Sequence, residues 1–217
     1  MESVLEFKHI SKYFPGVKAL DDICFKAYGG EVLAFLGENG AGKSTLLKVL
    51  NGDYKPDAGE YLLNGEQKHF RSPQEAIEEG ISVIYQERQI LLELSVAENI
   101  YLGRMPSNKF GVINTAKANQ MAQKIIDDFG LPIAPSTKVK DLSIAYQQMV
   151  EIMKAYSREN LKVICFDEPT ASLSDAEIDS LFAVIEKLKS QGKIVIYVSH
   201  RMDEIRRITD KVAIFKD

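Results

Sequence analysis

The chain has 217 residues, 45 % of them hydrophobic, which is enough for one large domain with a substantial core. Acidic residues outnumber basic ones by 31 to 27, giving a net charge of −4, so there is no basic excess of the kind that draws in a nucleic-acid backbone. The first residues carry too many charges for a signal peptide, and no stretch approaches the roughly 18 apolar residues of a membrane span, so we expect the chain itself to be soluble.

The first 70 or so residues read as strands separated by turns. Gly29-Gly30 and Asn64-Gly65 are turn dipeptides between apolar runs, and the second is a strong hairpin signal. Glu31 to Gly37 predicts a buried strand that leads into a glycine-rich loop. A helix is then expected over Ser44 to Leu50.

A capping box at Ser72-Pro73-Gln74-Glu75 predicts a short helix that Gly80 ends, followed by a strand over Ile81 to Tyr85. Residues 89–157 change character and read as a helical insertion. One predicted helix is terminated by Gly130, and another begins at Ser143 as its N-cap. Their apolar faces comprise Ala118, Met121, Ala122, Ile125 and Phe129 in the first, and Met149, Ile152, Met153 and Tyr156 in the second.

Alternation of strands and helices resumes after residue 160. Lys162 to Phe166 and Lys193 to Val198 are predicted buried strands, and a capping box at Ser174 to Glu177 starts the amphipathic helix between them. Near-continuous apolar strands that alternate with helices indicate an α/β fold with a mostly parallel sheet covered on both faces.

The loop between the predicted strand Glu31 to Gly37 and the predicted helix Ser44 to Leu50 matches GxxxxGK[ST] in full. Its glycines let main-chain N–H groups approach phosphate oxygens, and the helix adds its positive dipole end. The lysine is expected to reach the β- and γ-phosphates of a nucleoside triphosphate, and the serine hydroxyl to ligate Mg²⁺. The predicted binding residues are Gly37, Glu38, Asn39, Gly40, Ala41, Gly42, Lys43, Ser44 and Thr45.

Two acids follow the strand Lys162 to Phe166 directly. At the carboxyl end of a buried strand, Asp167 is expected to hold Mg²⁺ through a water molecule, and Glu168 is expected to orient and polarise the attacking water. Two solvated acids at a strand end would be the ordinary alternative. The phosphate-binding loop favours the catalytic interpretation because each motif supplies what the other lacks.

His200 and Gln86 each follow a predicted strand. His200 can hydrogen-bond a γ-phosphate, although an ordinary surface histidine is the commoner explanation of such a residue alone. Gln86 can contact Mg²⁺ or the attacking water. His9 and His69 lack this context and are expected to be structural or solvated. Cys24 and Cys165 lie far apart in apolar runs, which argues against a disulfide framework and fits a reducing compartment.

Taken together, these motifs resemble the ATP-binding-cassette (ABC) transporter ATPases over essentially the whole chain. The resemblance implies a P-loop NTPase fold with a mostly parallel core sheet, an antiparallel β subdomain and a helical subdomain, using ATP and Mg²⁺. It identifies Gln86 with the Q-loop, Leu142-Ser143 with the signature and His200 with the switch histidine. Phe14 then corresponds to the aromatic residue that stacks on adenine, with Tyr13 as the alternative.

The segments FPGVKAL, GENGAGKST, LSVAENIYLGR, QQMVEI and VSHRMDEI are similar to the ATPases of bacterial monosaccharide importers of the ribose, galactose and xylose group. That resemblance implies a tandem protein at the cytoplasmic face of the membrane, of which residues 1–217 would be the N-terminal cassette. Its implied partners are a second cassette, membrane-spanning permease subunits and, indirectly, a sugar-binding protein, with no nucleic acid.

The chain departs from the family pattern in its signature. The segment that would cap the nucleotide of an opposite cassette reads Leu142-Ser143-Ile144-Ala145-Tyr146-Gln147. Sugar importers usually keep glycine where Ala145 stands. An added methyl group is expected to crowd that close approach. Ser174 also stands where the D-loop of most relatives has aspartate.

Two other classes of function stay open on the sequence alone. A non-transport ABC protein that acts on DNA or ribosomes would share the phosphate-binding loop, although such proteins usually add coiled-coil insertions or basic linkers. A nucleotide-binding module without turnover is the other class, and we expect weak or no ATPase activity from this cassette alone because the family completes its site with a second cassette.

Overall fold

The computed structural model describes residues 3–216, which form two compact units. The first unit runs up to Gln86 and adds Asn160–Ala171 and the described residues from Phe182 onward. The second consists of Glu87–Glu159 and Ser172–Leu181. The range 89–157, where the sequence predicts a helical insertion, lies inside the second unit.

The elements in chain order are β1 (Val4–Phe14), β2 (Val17–Tyr28), β3 (Val32–Leu36), α1 (Lys43–Leu50), β4 (Ala58–Leu63), β5 (Glu66–Lys68), α2 (Pro73–Glu78), β6 (Ile81–Ile84), α3 (Val96–Ile100), α4 (Thr115–Phe129), a 3₁₀ helix (Val139–Asp141), α5 (Ile144–Tyr156), β7 (Val163–Asp167), α6 (Asp175–Ser190), β8 (Ile194–Val198), α7 (Met202–Ile208) and β9 (Lys211–Ile214).

An antiparallel sheet in the first unit has the order β2-β1-β4-β5. The predicted hairpin at Asn64-Gly65 is confirmed, because these two residues connect β4 to β5 with φ angles of 56° and 82°, as a type I′ turn requires. The β1–β2 ladder is irregular, with register shifts between Phe7 and Ile10 and again between Ile10 and Lys12.

The second sheet of this unit is parallel throughout, with the order β6-β7-β8-β3-β9. All residues of β7 and β8 are buried, as the predicted continuous apolar strands require. The hydrophobic cluster of the unit draws side chains from both sheets and from α1, including Phe7, Phe35, Leu47 and Ile196. The predicted fold class, an α/β P-loop fold with parallel and antiparallel sheets, is confirmed.

The second unit is helical and has its own core. This cluster includes Val96, Ile100, Ile126, Val150 and Met153, contributed by α3, α4 and α5. Both predicted helices are confirmed: α4 ends at Gly130, whose φ is 64°, and α5 begins after Ser143, whose side chain accepts a hydrogen bond from the N–H of Tyr146.

Most predicted strands and helices differ from the observed ones by one residue at an end. The sequence did not predict α3, α7 or β9. The capping box of α6 is only partly formed. Glu177 accepts the expected hydrogen bond from the N–H of Ser174, but the Ser174 hydroxyl donates to the same carboxylate. Among the described residues, no helix has both the length and the apolar character needed to cross a membrane.

Gly80 joins α2 to β6 in a conformation that other residues adopt at a cost. Its φ is +94°, and a Cβ there would collide with the main-chain carbonyl of Asn160. We expect Gly80→Ala to lower the free energy of unfolding by about 3 kcal/mol, of which roughly 1 arises from the conformation and roughly 2 from the collision. Gly65→Ala is the matched control, since its φ is +82° and no atom lies within 4 Å of the added carbon. Equal losses in denaturant titrations of the two variants would contradict the assigned collision.

Candidate functional site

The strand order of the parallel sheet brings the predicted site residues of the first unit to one edge. Glu168, His200 and Gly37 follow β7, β8 and β3, which are consecutive neighbours, and Gln86 follows the adjoining strand β6. Parallel strands present their carboxyl ends at the same edge, so these residues share it.

The loop from Gly37 to Gly42 turns sharply between β3 and α1. Gly40 and Gly42 have φ angles of 96° and 92°. A Cβ on Gly42 would collide with the carbonyl of Ala19, so glycine is required there for space as well as conformation. Gly42 is also the N-cap of α1 and supplies no side-chain cap. The N–H groups of the first turn are therefore available to an anion.

Lys43 is buried and its ammonium group lies inside the loop. The Nζ atom donates hydrogen bonds to the carbonyl oxygens of Gly37 at 2.7 Å and Glu38 at 2.8 Å. These contacts hold a positive charge beside the N-terminus of α1, where both favour phosphate.

Ser44 and Asp167 form the pair expected to hold Mg²⁺. The Ser44 hydroxyl donates to Asp167 Oδ1 at 3.3 Å, and both groups are hard oxygen donors. Adjacent ligands of an octahedral Mg²⁺ with bonds of 2.0–2.1 Å lie about 3 Å apart. The two oxygens thus fit neighbouring positions around one magnesium ion.

The carboxyl group of Asp167 is only 8 % exposed at the end of a fully buried strand. Desolvation raises its pKa above the usual range, while the hydrogen bond from Ser44 opposes this shift. The neighbouring Glu168 carboxylate raises the pKa further, and the ammonium of Lys43 lowers it. The position is therefore costly for an isolated carboxylate and favours a cation beside it.

Glu168 adopts a conformation rare for a residue with a side chain, with φ at 49°. Its main-chain N–H donates to the Val198 carbonyl at 3.0 Å, and its Oε1 lies 3.2 Å from His200 Nδ1. Such strain persists only where the surroundings impose it, and it is common at active sites. The carboxylate and the imidazole are therefore brought together at the sheet edge.

Gln86 is exposed and lies two residues beyond the end of β6. Phe14 and Tyr13 are both exposed at the end of β1 but have different neighbours. Phe14 makes an edge contact with Tyr54 at 5.3 Å between ring centroids. A lysine ammonium lies over each ring, Lys12 over Phe14 and Lys18 over Tyr13. The two rings thus offer alternative stacking surfaces.

The predicted signature residues lie in the second unit around the start of α5. Ala145 is 4 % exposed, so its methyl group is turned away from solvent, and this burial argues against the expected crowding of a bound phosphate. The side-chain amide of Gln147 already has partners within the second unit. Its nitrogen donates a hydrogen bond to the Leu142 carbonyl, and its oxygen accepts one from Arg88. Ser143 and Ile144 are exposed in this segment, and Leu142, Tyr146 and Gln147 are partly exposed.

Glu177 connects two motifs of the second unit. Its carboxylate accepts hydrogen bonds from the hydroxyl groups of Ser143 at 3.4 Å and Ser174 at 2.8 Å. The serines of the predicted signature and of the predicted D-loop are therefore both hydrogen-bonded to one acid on α6. The sequence analysis identified this acid only as part of a capping box.

Glu204 on α7 is a further residue that the sequence analysis missed. Its buried carboxylate accepts hydrogen bonds from the hydroxyl groups of Thr170, Tyr197 and Ser199 at 2.7, 2.8 and 2.9 Å, and it pairs with Arg201 at 2.7 Å. These partners flank Glu168 and His200 in sequence, so Glu204 fixes the two segments that carry them. An acid in the first turn of a helix is too common to reveal this role.

Comparison with known proteins gives a consistent match. A family model described as ABC transporter matches residues 20–171. The arabinose import ATP-binding protein AraG of Mannheimia succiniciproducens is 51 % identical over 213 residues, which cover 98 % of this chain and 42 % of that protein. AraG of Escherichia coli O6:K15:H31 matches with the same identity and coverage. The chain thus spans about two-fifths of the length of these relatives.

Among solved structures, an ATP-binding cassette of an ABC transporter in its ADP conformation superposes with a TM-score of 0.84 at 28 % identity. The match covers 99 % of this chain and 87 % of that one. A nucleotide-free ATP-binding cassette from an ABC transporter gives the same TM-score and identity, with 99 % and 88 % covered.

The buried carboxyl group of Asp167 leads to a prediction about stability and pH. Because its pKa is raised on folding, the folded protein binds more protons than the unfolded one between the two pKa values, so stability falls as pH rises through this interval. We expect Asp167→Asn to increase the free energy of unfolding of the nucleotide-free protein at pH 7, with a gain that shrinks towards pH 4. Denaturant titrations at several pH values measure this gain. Asp203→Asn is the control, because Asp203 is an exposed acid on α7. A variant less stable than the parent at pH 7 would contradict the assigned cost.

Proposed function

The chain belongs to the ABC transporter family, and we propose that it binds ATP at Gly37 to Thr45 and contributes to Mg²⁺-dependent hydrolysis that drives the import of a sugar. The observation that carries the proposal is the shared sheet edge, where the phosphate-binding loop, Ser44 with Asp167, and Glu168 with His200 follow neighbouring strands.

ATP binding rests on the loop and on α1. The main-chain N–H groups of the loop and of the first turn of α1 face the phosphates, and Lys43 exchanges a carbonyl contact for β- and γ-phosphate oxygens. Phe14 is the proposed stacking surface for adenine, with Tyr13 as the alternative.

Ser44 and Asp167 would hold Mg²⁺, with Gln86 completing the ligand set from the end of β6. The ion, when bound, neutralises charge on the β- and γ-phosphates. The raised pKa of Asp167 is consistent with this role, because a nearby cation restores the ionised carboxylate that burial disfavours.

Glu168 is the proposed general base. Its carboxylate accepts a proton from the attacking water while the water oxygen bonds to the γ-phosphorus and the bond to ADP breaks. His200, 3.2 Å from Glu168 Oε1, orients that carboxylate and hydrogen-bonds the γ-phosphate. Glu204 positions both residues through Thr170 and Ser199.

The proposed partners come from the family and from the named relatives. The segment with Ser143, Ala145, Tyr146 and Gln147 would face the nucleotide of a second cassette, either a tandem half or a dimer mate. Membrane-spanning permease subunits would receive the sugar from a binding protein and hold this chain at the cytoplasmic face. The relatives that are 51 % identical are named for arabinose import, so arabinose is the first sugar to test. No observation favours a nucleic-acid partner.

Glu168→Gln tests the proposed chemistry. In the full-length protein assembled with its permease in vesicles, we expect turnover at this site to fall by about 10²–10³-fold, because the amide cannot accept the proton. ATP affinity of the chain should stay within about threefold, since the substitution leaves the loop intact. Steady-state phosphate release, labelled arabinose uptake and nucleotide titration provide the measurements.

Glu186→Gln is the matched control for that experiment, because Glu186 is an exposed acid on α6, away from the sheet edge. In a second variant, the same substitution is made at the corresponding acid of the other cassette. Comparing the two variants distinguishes turnover at one nucleotide site from turnover at the other. Undiminished turnover at this site would rule out the role of Glu168 as general base. ATP turnover without uptake of any tested sugar would rule out the import proposal and leave the ATPase proposal standing.

Substitution of the two aromatic residues identifies the adenine-stacking ring. We expect Phe14→Ala to weaken ATP binding by about 1–2 kcal/mol, or roughly tenfold, through loss of base stacking. Tyr13→Ala should change the affinity by less than about twofold. Fluorescent-nucleotide titrations of both variants, with inorganic triphosphate as the competitor without a base, measure the difference. The reverse order would assign the stacking role to Tyr13.

A further inference from the structure

Three side chains capable of binding a metal ion converge on the β1–β2 ribbon. One ligand atom each from His9, Asp22 and Cys24 lies within 4.8 Å of the other two. His9 Nδ1 is 2.7 Å from Asp22 Oδ1 and 3.6 Å from Cys24 Sγ. All three residues are exposed, so an ion can reach them from solvent.

The convergence results from two consecutive irregularities in the ladder. Lys8 and His9 together oppose the single residue Cys24, and Ser11 then opposes Asp21 and Asp22. Each bulge turns a side chain out of the regular alternation. Without them, His9, Asp22 and Cys24 would not share one patch of surface.

The backbone around the cluster is held in a defined and costly conformation. His9 and Asp22 have φ angles of 55° and 57°, which residues with side chains rarely adopt. Gly59 on β4 makes room for this bulge, since a Cβ there would collide with the His9 carbonyl. The buried Ser11 hydroxyl accepts a hydrogen bond from the N–H of Asp22 at 3.0 Å, which anchors the aspartate.

The separation between the sulfur of Cys24 and the nitrogen of His9 matches that of a tetrahedral zinc site. With Zn–S bonds of about 2.3 Å and Zn–N bonds of about 2.05 Å, a tetrahedral angle places sulfur and nitrogen about 3.6 Å apart, the distance between Cys24 Sγ and His9 Nδ1. The corresponding N–O separation is about 3.3 Å, whereas His9 Nδ1 and Asp22 Oδ1 are 2.7 Å apart. The Asp22 carboxylate would therefore move outward by about 0.6 Å as the ion replaces the shared proton.

The donor set selects the metal. One imidazole, one thiolate and one carboxylate suit a borderline-soft ion such as Zn²⁺, whereas Mg²⁺ prefers oxygen ligands alone. The N–H of His9 also donates to Cys24 Sγ at 3.1 Å, a contact that strengthens when the sulfur carries the negative charge of a ligand.

We propose that His9, Asp22 and Cys24 form a Zn²⁺-binding site on the β1–β2 ribbon, with water as the fourth ligand. The site closes across the two strands at their bulges, so bound zinc cross-links the irregular part of the ladder. It would stabilise the folded protein in proportion to its occupancy.

The test is zinc binding to the whole chain without nucleotide, in excess Mg²⁺ to occupy all-oxygen sites. Competition with a chromophoric chelator should give one zinc per chain in the parent. Cys24→Ser, His9→Gln and Asp22→Asn should each weaken binding by about tenfold or more. His69→Gln, which removes an exposed imidazole outside the cluster, is the matched control and should bind as the parent does.

Cobalt substitution provides a spectroscopic readout that is obtained first on the parent chain. Bound Co²⁺ should show a thiolate-to-metal charge-transfer band and the intense visible bands of tetrahedral coordination, and the charge-transfer band should be missing in Cys24→Ser. Binding by Cys24→Ser equal to that of the parent, or cobalt spectra without a thiolate band, would overturn the proposal. A zinc-dependent rise in melting temperature in the parent and in His69→Gln alone would support it.

Discussion

The common register of three buried parallel strands is the constraint on which the nucleotide site depends. Val163, Ile194 and Val32 begin β7, β8 and β3, and the ladder pairs Asp167 with Val198 and Phe35 with Val198 across the two interfaces. Any slip of one strand by a residue would reverse the faces of its side chains. Because every residue of β7 and β8 is buried, such a slip would move each side chain to the opposite buried face, where its packing partners differ. The register is therefore strongly determined.

The residues at the sheet edge that carries the proposed site adopt energetically unfavourable states. The buried sheet stabilises them. Asp167 ends a strand that is otherwise entirely apolar, so its charge is poorly solvated there. Glu168 then takes a positive φ, with its N–H still bound to the Val198 carbonyl. These features persist because neighbouring strands fix the chain on both sides. Glu204 adds to this support, because one buried carboxylate accepts hydrogen bonds from segments that follow β7 and β8.

The sequence predicts the parts of the molecule in which chemistry dictates residue type. A loop that surrounds phosphate needs glycines at Gly40 and Gly42 and a lysine at Lys43, and a fully buried strand needs the run from Val163 to Phe166. Local signals suffice for these, as they do for the N-cap at Ser143. The roles of the site residues stay predictions, whereas the fold class and the helix and strand types are confirmed.

The side-chain roles that sequence analysis missed depend on contacts that the local sequence does not show. Glu204 reads as an ordinary first-turn acid until the fold places Thr170 and Tyr197 around it. Gln147 reads as a signature residue, yet Arg88 and Leu142 occupy its amide. His9 was expected to be structural or solvated, because nothing local reveals the two bulges that bring it to Asp22 and Cys24.

Both groups of reactive side chains in the first unit lie where regular strand pairing stops. At the carboxyl edge of the parallel sheet, the main chain leaves the ladder and its N–H groups become available to phosphate. At the β1–β2 bulges, an extra residue on one strand redirects a side chain away from the alternating pattern. Regular pairing directs side chains alternately to two faces and satisfies the backbone internally, so it cannot gather several ligands at one point. The buried strands therefore supply stability, while the interruptions supply the geometry that binding requires.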